Sequence, residues 1–421
     1  MKRALIFAMA VCLLVSSAAM ATMTRTLTMG EANTIIHDDN NIWQFPSRIV
    51  DYPDMAVGEF SYNTGGYYYY WDEFTDIGVH YNLSDETPFV IGAYFTTVQP
   101  NQDFPYFLTS EYYDEIPNHR IDLFVGTHFS DMKAGMHFGY LSGSYETEQE
   151  DGTGEVINET EYSTKGYGFG FGLTAMENKL DLAAELTLLS WTDKGDNGYD
   201  ITEPDGCMLL DLSGRMFHEM NQKFTLVPHG GLEFGKVANK EYDNWDVEGE
   251  EGDVTDKDKY SRFILDAGMG VNYTPAEGVL AIADFGFMYY KEKEEYSYWD
   301  DGDEEWIDYE YEYSWFTLPY FKVGMEAKVF NWMDIRMGGT SYWEHEKDKY
   351  TYPTGGDPAT YTNEYRYGYV NNATYLGLGF HWGQLKIDTY INPEIIVNGF
   401  NFISGTEQDM NYQVSVKYDM F

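Results

Sequence analysis

Residues 166–173 read GYGFGFGL, with glycine at every even position and Tyr167, Phe169, Phe171 and Leu173 between them. A spacing of two is the period of a β-strand, whose successive side chains point to opposite faces. This strand has one bulky apolar face and one bare face. Glycine weakens a strand interior and marks a bend or a place where another backbone comes close. Two explanations stand: the bare face is a groove for another chain segment, or the glycines let the sheet curve.

The same period recurs outward to the end of the chain. Leu180, Leu182, Leu186 and Leu188 alternate with Asp181, Glu185 and Thr187; Val279, Ala281, Ala283, Phe285 and Phe287 share a face; Leu376, Leu378 and Phe380 oppose Gly377 and Gly379. Trp315 is expected on one face with Phe321, Val323, Met325 and Val329. Connectors alternate in length. Short ones fall at 130–133, 176–179, 220–222, 275–278, 331–333 and 383–384, and long ones near 63–73, 98–119, 146–161, 192–204, 237–258, 293–310, 346–362 and 397–410. Tight turns on one side and long loops on the other are the plan of an outer-membrane barrel. The count predicts an all-β, transmembrane, antiparallel up-and-down β-barrel of sixteen strands, from 55–62 to 412–421, or fourteen if one hairpin is lost. A β-sandwich or propeller also alternates, but does not explain the connector asymmetry together with the two chain ends. The terminal Phe421 resembles the signal read by barrel-assembly machinery, although Val414, Val416, Tyr418 and Met420 put it on the opposite face.

The first residues, MKRALIFAMAVCLLVSSAAMA, have a positive start, a short apolar run and a small-x-small end. They read as a secretory signal peptide over 1–21, cleaved before Thr22. That leaves Cys207 as the single mature cysteine, read as a buried inert thiol. The formal charge of −44 becomes −46 without Lys2 and Arg3. Such a chain does not bind nucleic acid through its phosphates. Aromatic residues make up 18%, with 38 tyrosines, whereas disordered acidic chains are poor in aromatics. No stretch of 18 apolar residues follows the leader, and a mean hydropathy of −0.46 does not argue against a barrel, whose lipid-facing residues are only every second one.

Residues 22–54 precede the first strand and carry turn-prone Asp, Asn and Pro. They are expected to fold into the lumen as a plug, with 55–421 forming the barrel. The cluster Asp38, Asp39, Asn40, Asn41, then Trp43, then Phe45-Pro46-Ser47 and Arg48, resembles the N-terminal region of long-chain fatty-acid transporter (FadL-like) barrels and of PorV-type secretion-associated barrels. Phe45 and Ser47 depart from the Asn-Pro-Ala of that pattern. The resemblance implies an N-terminal plug and the passage of apolar molecules. It also implies fourteen strands, against the count of sixteen.

The inward phase carries charges of both signs. Asp211, Arg215, Lys322, Glu326, Lys328, Arg336, Lys386 and Asp388 are read as channel-lining, or as pairing with one another and with a plug that includes Asp38, Asp39 and Arg48. Three acidic runs, 146–161, 241–258 and 294–312, together carry a net −25 and are placed in outer loops. They either form a solvated rim that concentrates cations or bind Ca²⁺, for which Asp300, Asp301, Asp303, Glu304 and Glu305 are the nominated ligands. No cofactor is otherwise required. There is no G-x-S-x-G or H-E-x-x-H, so catalysis is not expected.

The leading expectation is a porin-like channel for small polar or cationic solutes in the outer membrane of a Gram-negative-type bacterium. A FadL-like carrier of hydrophobic compounds is the second. A non-conducting surface or secretion-anchoring barrel, with cations or a protein partner at its acidic loops, is the third. Expected partners are outer-membrane lipids, the assembly machinery and, for a porin, two further copies in a homotrimer.

Overall fold

The computed structural model describes residues 23–63, 75–84, 89–98, 118–150, 156–194, 200–204, 206–243, 253–300, 305–354, 357–391 and 411–420. The expected signal peptide, Asp301, Asp303, Glu304 and Phe421 lie outside them, and Asp300 and Glu305 are described only as a backbone pair at the end of one hairpin's described residues.

From residue 55 the chain is one antiparallel sheet closed on itself. Its strands are β1 (Met55–Asn63), β2 (Thr75–Asn82), β3 (Phe89–Val98), β4 (Asn118–Phe129), β5 (Met132–Glu150), β6 (Val156–Ala175), β7 (Leu180–Lys194), β8, β9 (Phe224–Asp243), β10 (Asp253–Ala276), β11 (Val279–Asp300), β12 (Glu305–Phe330), β13 (Met333–Thr354), β14 (Asp357–Trp382), β15 (Leu385–Ile391) and β16 (Asn411–Asp419). The strand β8 runs in three segments, Asp200–Pro204, Cys207–Met216 and His218–Asn221, all paired with β9. Each strand pairs with the next, and β1 pairs with β16 from Met55↔Asp419 to Asn63↔Asn411, which closes the ring at sixteen strands.

The two faces of the wall differ as the alternation requires. Phe169, Phe171, Val323, Met325 and Met337 are 40–54% exposed on the outside, whereas Asp181, Arg215 and Arg336 on the inside are 0–2% exposed. An apolar exterior around a polar interior is the inversion a lipid bilayer demands. Phe330, Trp332, Phe380 and Trp382 stack in a row at the short-turn rim, with ring centroids 5.5, 6.2 and 5.6 Å apart. Trp343, 50% exposed, stands above them by about the 9–11 residues of one membrane crossing. The chain thus has the fold of an outer-membrane β-barrel.

Strands β11 to β14 are 22, 26, 22 and 26 residues long, far more than a crossing needs. Much of the sequence expected to form long acidic loops is therefore strand. Glu146 lies opposite Glu161, and Glu295 opposite Glu310. Like charges in register oppose pairing. Between Glu295 and Glu310 the repulsion is relieved by Lys293, whose Nζ is 2.5 and 3.0 Å from them. Lys349 adds to Glu310 at 3.6 Å, and Lys291 pairs with Glu312 at 3.0 Å. These lysines lie outside the acidic run 294–312, which looks uncompensated only when read linearly.

The expected phase of Trp315 is corrected. A bulge between Thr317 and Tyr320 reverses the alternation in β12. Phe316 and Leu318 are outside at 36% and 45% exposed, and Thr317 is fully buried, so Trp315 shares the inner face with Thr317 and stacks on Tyr290 at 4.7 Å. Cys207 is buried as expected of an inert thiol.

Candidate functional site

Residues 23–54 form α1 (Met23–Thr28), a 3₁₀ turn at Ala32–Thr34, α2 (Asn41–Gln44) and a 3₁₀ turn at Pro46–Asp51. The first helix touches β13–β16, while the last turn touches β3–β6 across the ring. Only a position inside the lumen reaches both. Met29, Ile35, Ile42, Phe45 and Ile49 are at most 1% exposed. One apolar cluster joins Ile42, Ile49 and Val50 to Val90, Tyr94 and Phe124; a second joins Met29, Ile35 and Ile36 to Phe217, Val227 and Ile282. Burying these side chains on both walls supplies the drive that holds a segment with so little regular structure.

The glycine face meets this segment. A Cβ on Gly172 would lie 2.7 Å from Ser47 N, and one on Gly135 in the adjacent strand 2.2 Å from Pro46 O. Gly170 faces the Pro46 ring at 3.3 Å. On the far wall, Cβ atoms on Gly324 and Gly338 would strike Met29 O and Gly30 N at 2.3 and 2.1 Å. Gly30 itself has φ +76° and no room for a side chain against Val323 O. Close backbone approach thus accounts for the lower half of the GYGFGFGL column. A Cβ on Gly168 would meet only Glu185 Oε1 at 3.4 Å among its nearer contacts, and with Gly166 it borders a space of about 50 Å³.

Polar anchors fix the segment. Arg48 Nη2 and Arg215 Nε both donate to Asp181 Oδ2 at 2.8 Å, and Thr174 donates to Asp181 Oδ1 at 2.7 Å. Arg215 also donates to the carbonyls of Asn33, Thr34 and Ile36 at 2.9–3.0 Å and to Asn41 Oδ1 at 2.7 Å, with its guanidinium 4.5 Å from the Phe45 ring. A second anchor joins Arg25 to Glu326 at 2.8 Å and to Asp38 at 2.6 Å; Arg336 bridges Glu326 and Asp388. In a third, Tyr342 and Tyr375 donate to Glu31 at 2.7 and 2.5 Å, with Lys322 at 3.4 Å. In a fourth, Glu59 accepts from Thr24 N and Oγ1 at 2.9 and 2.8 Å and from Gln413 at 2.6 Å.

These contacts set the charge state of the segment. Burial pushes the Asp38 carboxyl up, neighbouring Asp39 adds to the effect, and Arg25 opposes both; the outcome is about 8. Burial also pushes Glu31 up, but Lys322, Tyr375 and Tyr342 outweigh it and hold the carboxyl below its ordinary value.

The nominated lumen residues therefore separate into groups. Arg215, Lys322, Glu326, Arg336 and Asp388 contact the segment or the anchors that hold it. Lys386 pairs with Asp419 at the short-turn rim, and Lys328 packs beside the turn at Gly278. Asp211 lines open space. In the segment, Asp39 pairs with Lys417 at 3.2 Å, Trp43 packs edge-on to Phe124 at 5.1 Å, and Pro46 lies in the glycine cradle. Glu31 and Glu59 were not nominated, whereas Asp181 falls in the inward, charged phase of its strand. Glu59 had a signal, being the one charge in the otherwise apolar opening MAVGEF of β1.

Above the segment lies a chamber of about 410 Å³, floored by Met23, Asn40, Trp43 and Gln44. Five carboxylates line its walls, Glu59, Asp76, Glu185, Asp211 and Glu233. The cation among its lining residues is Arg120, 5.4 Å from the Trp43 ring and 2.8 Å from Asp122. Among the described residues, no cluster of His, Cys, Asp and Glu has the arrangement of a metal site.

No family model and no curated protein matches this chain. Outer membrane proteins are among the solved structures that align with it. The toluene transporter TodX of Pseudomonas putida aligns at 11% identity over 96% of this chain and 98% of its own, with a TM-score of 0.35. The alcaligin receptor FauA of Bordetella pertussis gives 8% identity over 86% and 75%, TM-score 0.40. The outer membrane protease OmpT of Escherichia coli gives 10% over 68% and 96%, TM-score 0.25. Likenesses of this size assign no activity, and they do not confirm the N-terminal resemblance to FadL-like or PorV-type barrels.

Proposed function

We propose that this chain is a non-enzymatic outer-membrane transport barrel whose lumen is closed by residues 23–54, and that solutes collect in the acidic chamber before passing the displaced segment. The observation that carries the reading is the filling of the short-turn half of the lumen by a segment seated on glycines and tied to the wall by buried arginine–carboxylate anchors. A seated segment of this kind favours gated passage over free diffusion. Five carboxylates around the chamber favour polar or cationic solutes over a hydrophobic cargo.

The test is conductance in a planar bilayer across a KCl gradient, for the full chain and for a chain lacking residues 22–54. The expected result is a full chain that stays closed and a deleted one that opens steadily with cation selectivity. Equal, steady openings from both would return the protein to a passive diffusion channel. Silence from both would make it a non-conducting barrel.

A further inference from the structure

Above the plug, the sheet of β10–β14 sorts its charges by face. On the outside, lysines pair with glutamates: Lys291 with Glu312, Lys293 with Glu310, Lys347 with Glu364 at 3.0 Å each. The register carries the opposite face upward from the plug. Tyr342 and Tyr375 bond Glu31; two and four residues beyond Tyr342 come Glu344 and Glu346, and Asp348 is next in the same phase. Cross-strand partners on this face are Tyr369 beside Glu344 and Tyr367 beside Glu346 on one side, and Tyr313 beside Asp348 on the other. Tyr313 donates to Glu346 at 2.9 Å, Tyr369 donates to the same carboxylate, and Asn371 donates to Glu344 at 2.9 Å. Among the described residues of these strands above the bulge, the cation on this face is Arg262, which Glu233 engages at 2.5 Å. Trp315 Nε1 has no hydrogen-bond partner, and Asp348, half-buried on the same face, is reached by Tyr311. Tyr365, Tyr367 and Tyr369 are 48, 52 and 41% exposed.

We infer that this tyrosine–carboxylate face captures organic cations, protonated amines or guanidiniums that carry an aromatic or apolar body, at the outer entrance of the barrel. The carboxylates supply charge complementarity, and tyrosine faces attract a cation through the ring quadrupole while covering its apolar part. A hydrated metal ion would use the carboxylates but brings no apolar body for the rings to cover. An anion would be repelled by the face. The inference names the cargo class of the transport reading above, and rests on that reading only for the passage that comes after capture.

The probes are phenethylammonium, ethylammonium and phenylacetate, titrated calorimetrically against the full chain in detergent. Phenethylammonium is expected to bind saturably, ethylammonium about tenfold more weakly, and phenylacetate not at all. The double variant Glu344→Gln/Glu346→Gln should weaken phenethylammonium binding at least tenfold, as should Tyr369→Leu more modestly, while Glu310→Gln/Glu312→Gln on the outer face of the same sheet leaves it unchanged. Heat-modifiable gel migration verifies that each variant is a folded barrel; Tyr369→Leu decides the matter if the double variant is not. Equal binding of all three probes, or equal loss from inner-face and outer-face variants, would overturn the inference. Binding occurs without passage, so selective capture by a barrel that never conducts would refute the transport reading and leave this one standing.

Discussion

Adding methyl groups where the plug meets the wall should unseat it without harming the barrel. In the double variant Gly135→Ala/Gly172→Ala, the new Cβ atoms would lie 2.2 Å from Pro46 O and 2.7 Å from Ser47 N. Both neighbours are backbone, so neither can swing aside as a side chain would. Restoring ordinary contact needs a displacement of about 1 Å, and overpacking on this scale costs about 1–3 kcal/mol. The same displacement parts Ser47 Oγ from Thr174 Oγ1, now 2.8 Å apart, and Arg48 from Asp181. Each buried hydrogen bond lost costs a further ~1–3 kcal/mol. Even the low end of these terms together, about 3 kcal/mol, would raise the unseated population roughly a hundredfold. The assay is single-channel recording, with open probability as the readout. Gly168→Ala is the control, because its Cβ would meet only Glu185 Oε1, at 3.4 Å, among nearer contacts. An open probability that did not change in the double variant, or that rose equally in Gly168→Ala, would refute the reasoning.

The anchors and the outer sheet can be tested in the same way. Arg215→Met strips the bonds to Asn33, Thr34 and Ile36 and leaves Asp181 with one guanidinium, so the N-terminal segment should become cleavable by added protease at a cost of about 3–5 kcal/mol, typical of breaking a buried pair. Continued protection would contradict the anchor. The seated Asp38 keeps its proton up to about pH 8, whereas a released one would keep it only to about 3.8. Its contribution to seating is therefore full below the lower value and lost as pH rises through the upper one. Proteolysis of the segment should accelerate from about pH 4 to about pH 8 and level off above it, and Asp38→Asn should flatten that dependence. Lys293→Gln leaves Glu295 and Glu310 opposed, and should speed amide exchange in the outer parts of β11 and β12 at low salt but not at high salt, with an effect below about 1 kcal/mol. Exchange that ignored salt would remove the electrostatic explanation.

The barrel was legible because its signal is local. Period two, turn residues and connector lengths are each read within a dozen residues, and they yield sixteen strands. The upper extent of the sheet was not legible, since a run such as 294–312 looks like a solvated loop when its acids are counted along the chain. What makes 294–300 and 305–312 strand is a tyrosine alternation, clearest from Asp308 to Tyr313, and lysines contributed across the ladder. The phase of Trp315 was lost for a related reason, because a bulge leaves no mark in hydropathy. The plug could be suspected from what residues 22–54 are unfit to be, and charged residues such as Arg48 could be named as its ties, but which wall residue each one meets could not. Arg25 and Glu326 are 301 positions apart, and Arg48 and Asp181 are 133 apart. No spacing rule joins such residues; only closure of the ring does. The glycine column was the exception, a local pattern whose cause is long-range.

Seating of the N-terminal segment in the lumen is the central claim, and a disulfide tests it directly. Ser47 Oγ and Thr174 Oγ1 touch at 2.8 Å, so cysteines placed at both positions would bring their sulfurs together. A seated segment predicts that Ser47→Cys/Thr174→Cys in native membranes cross-links almost completely on mild oxidation, that the oxidised barrel does not conduct, and that the link fails to form when residue 174 is paired instead with a cysteine at Met23 across the lumen. Two free thiols that remain open to a membrane-impermeant reagent would contradict it.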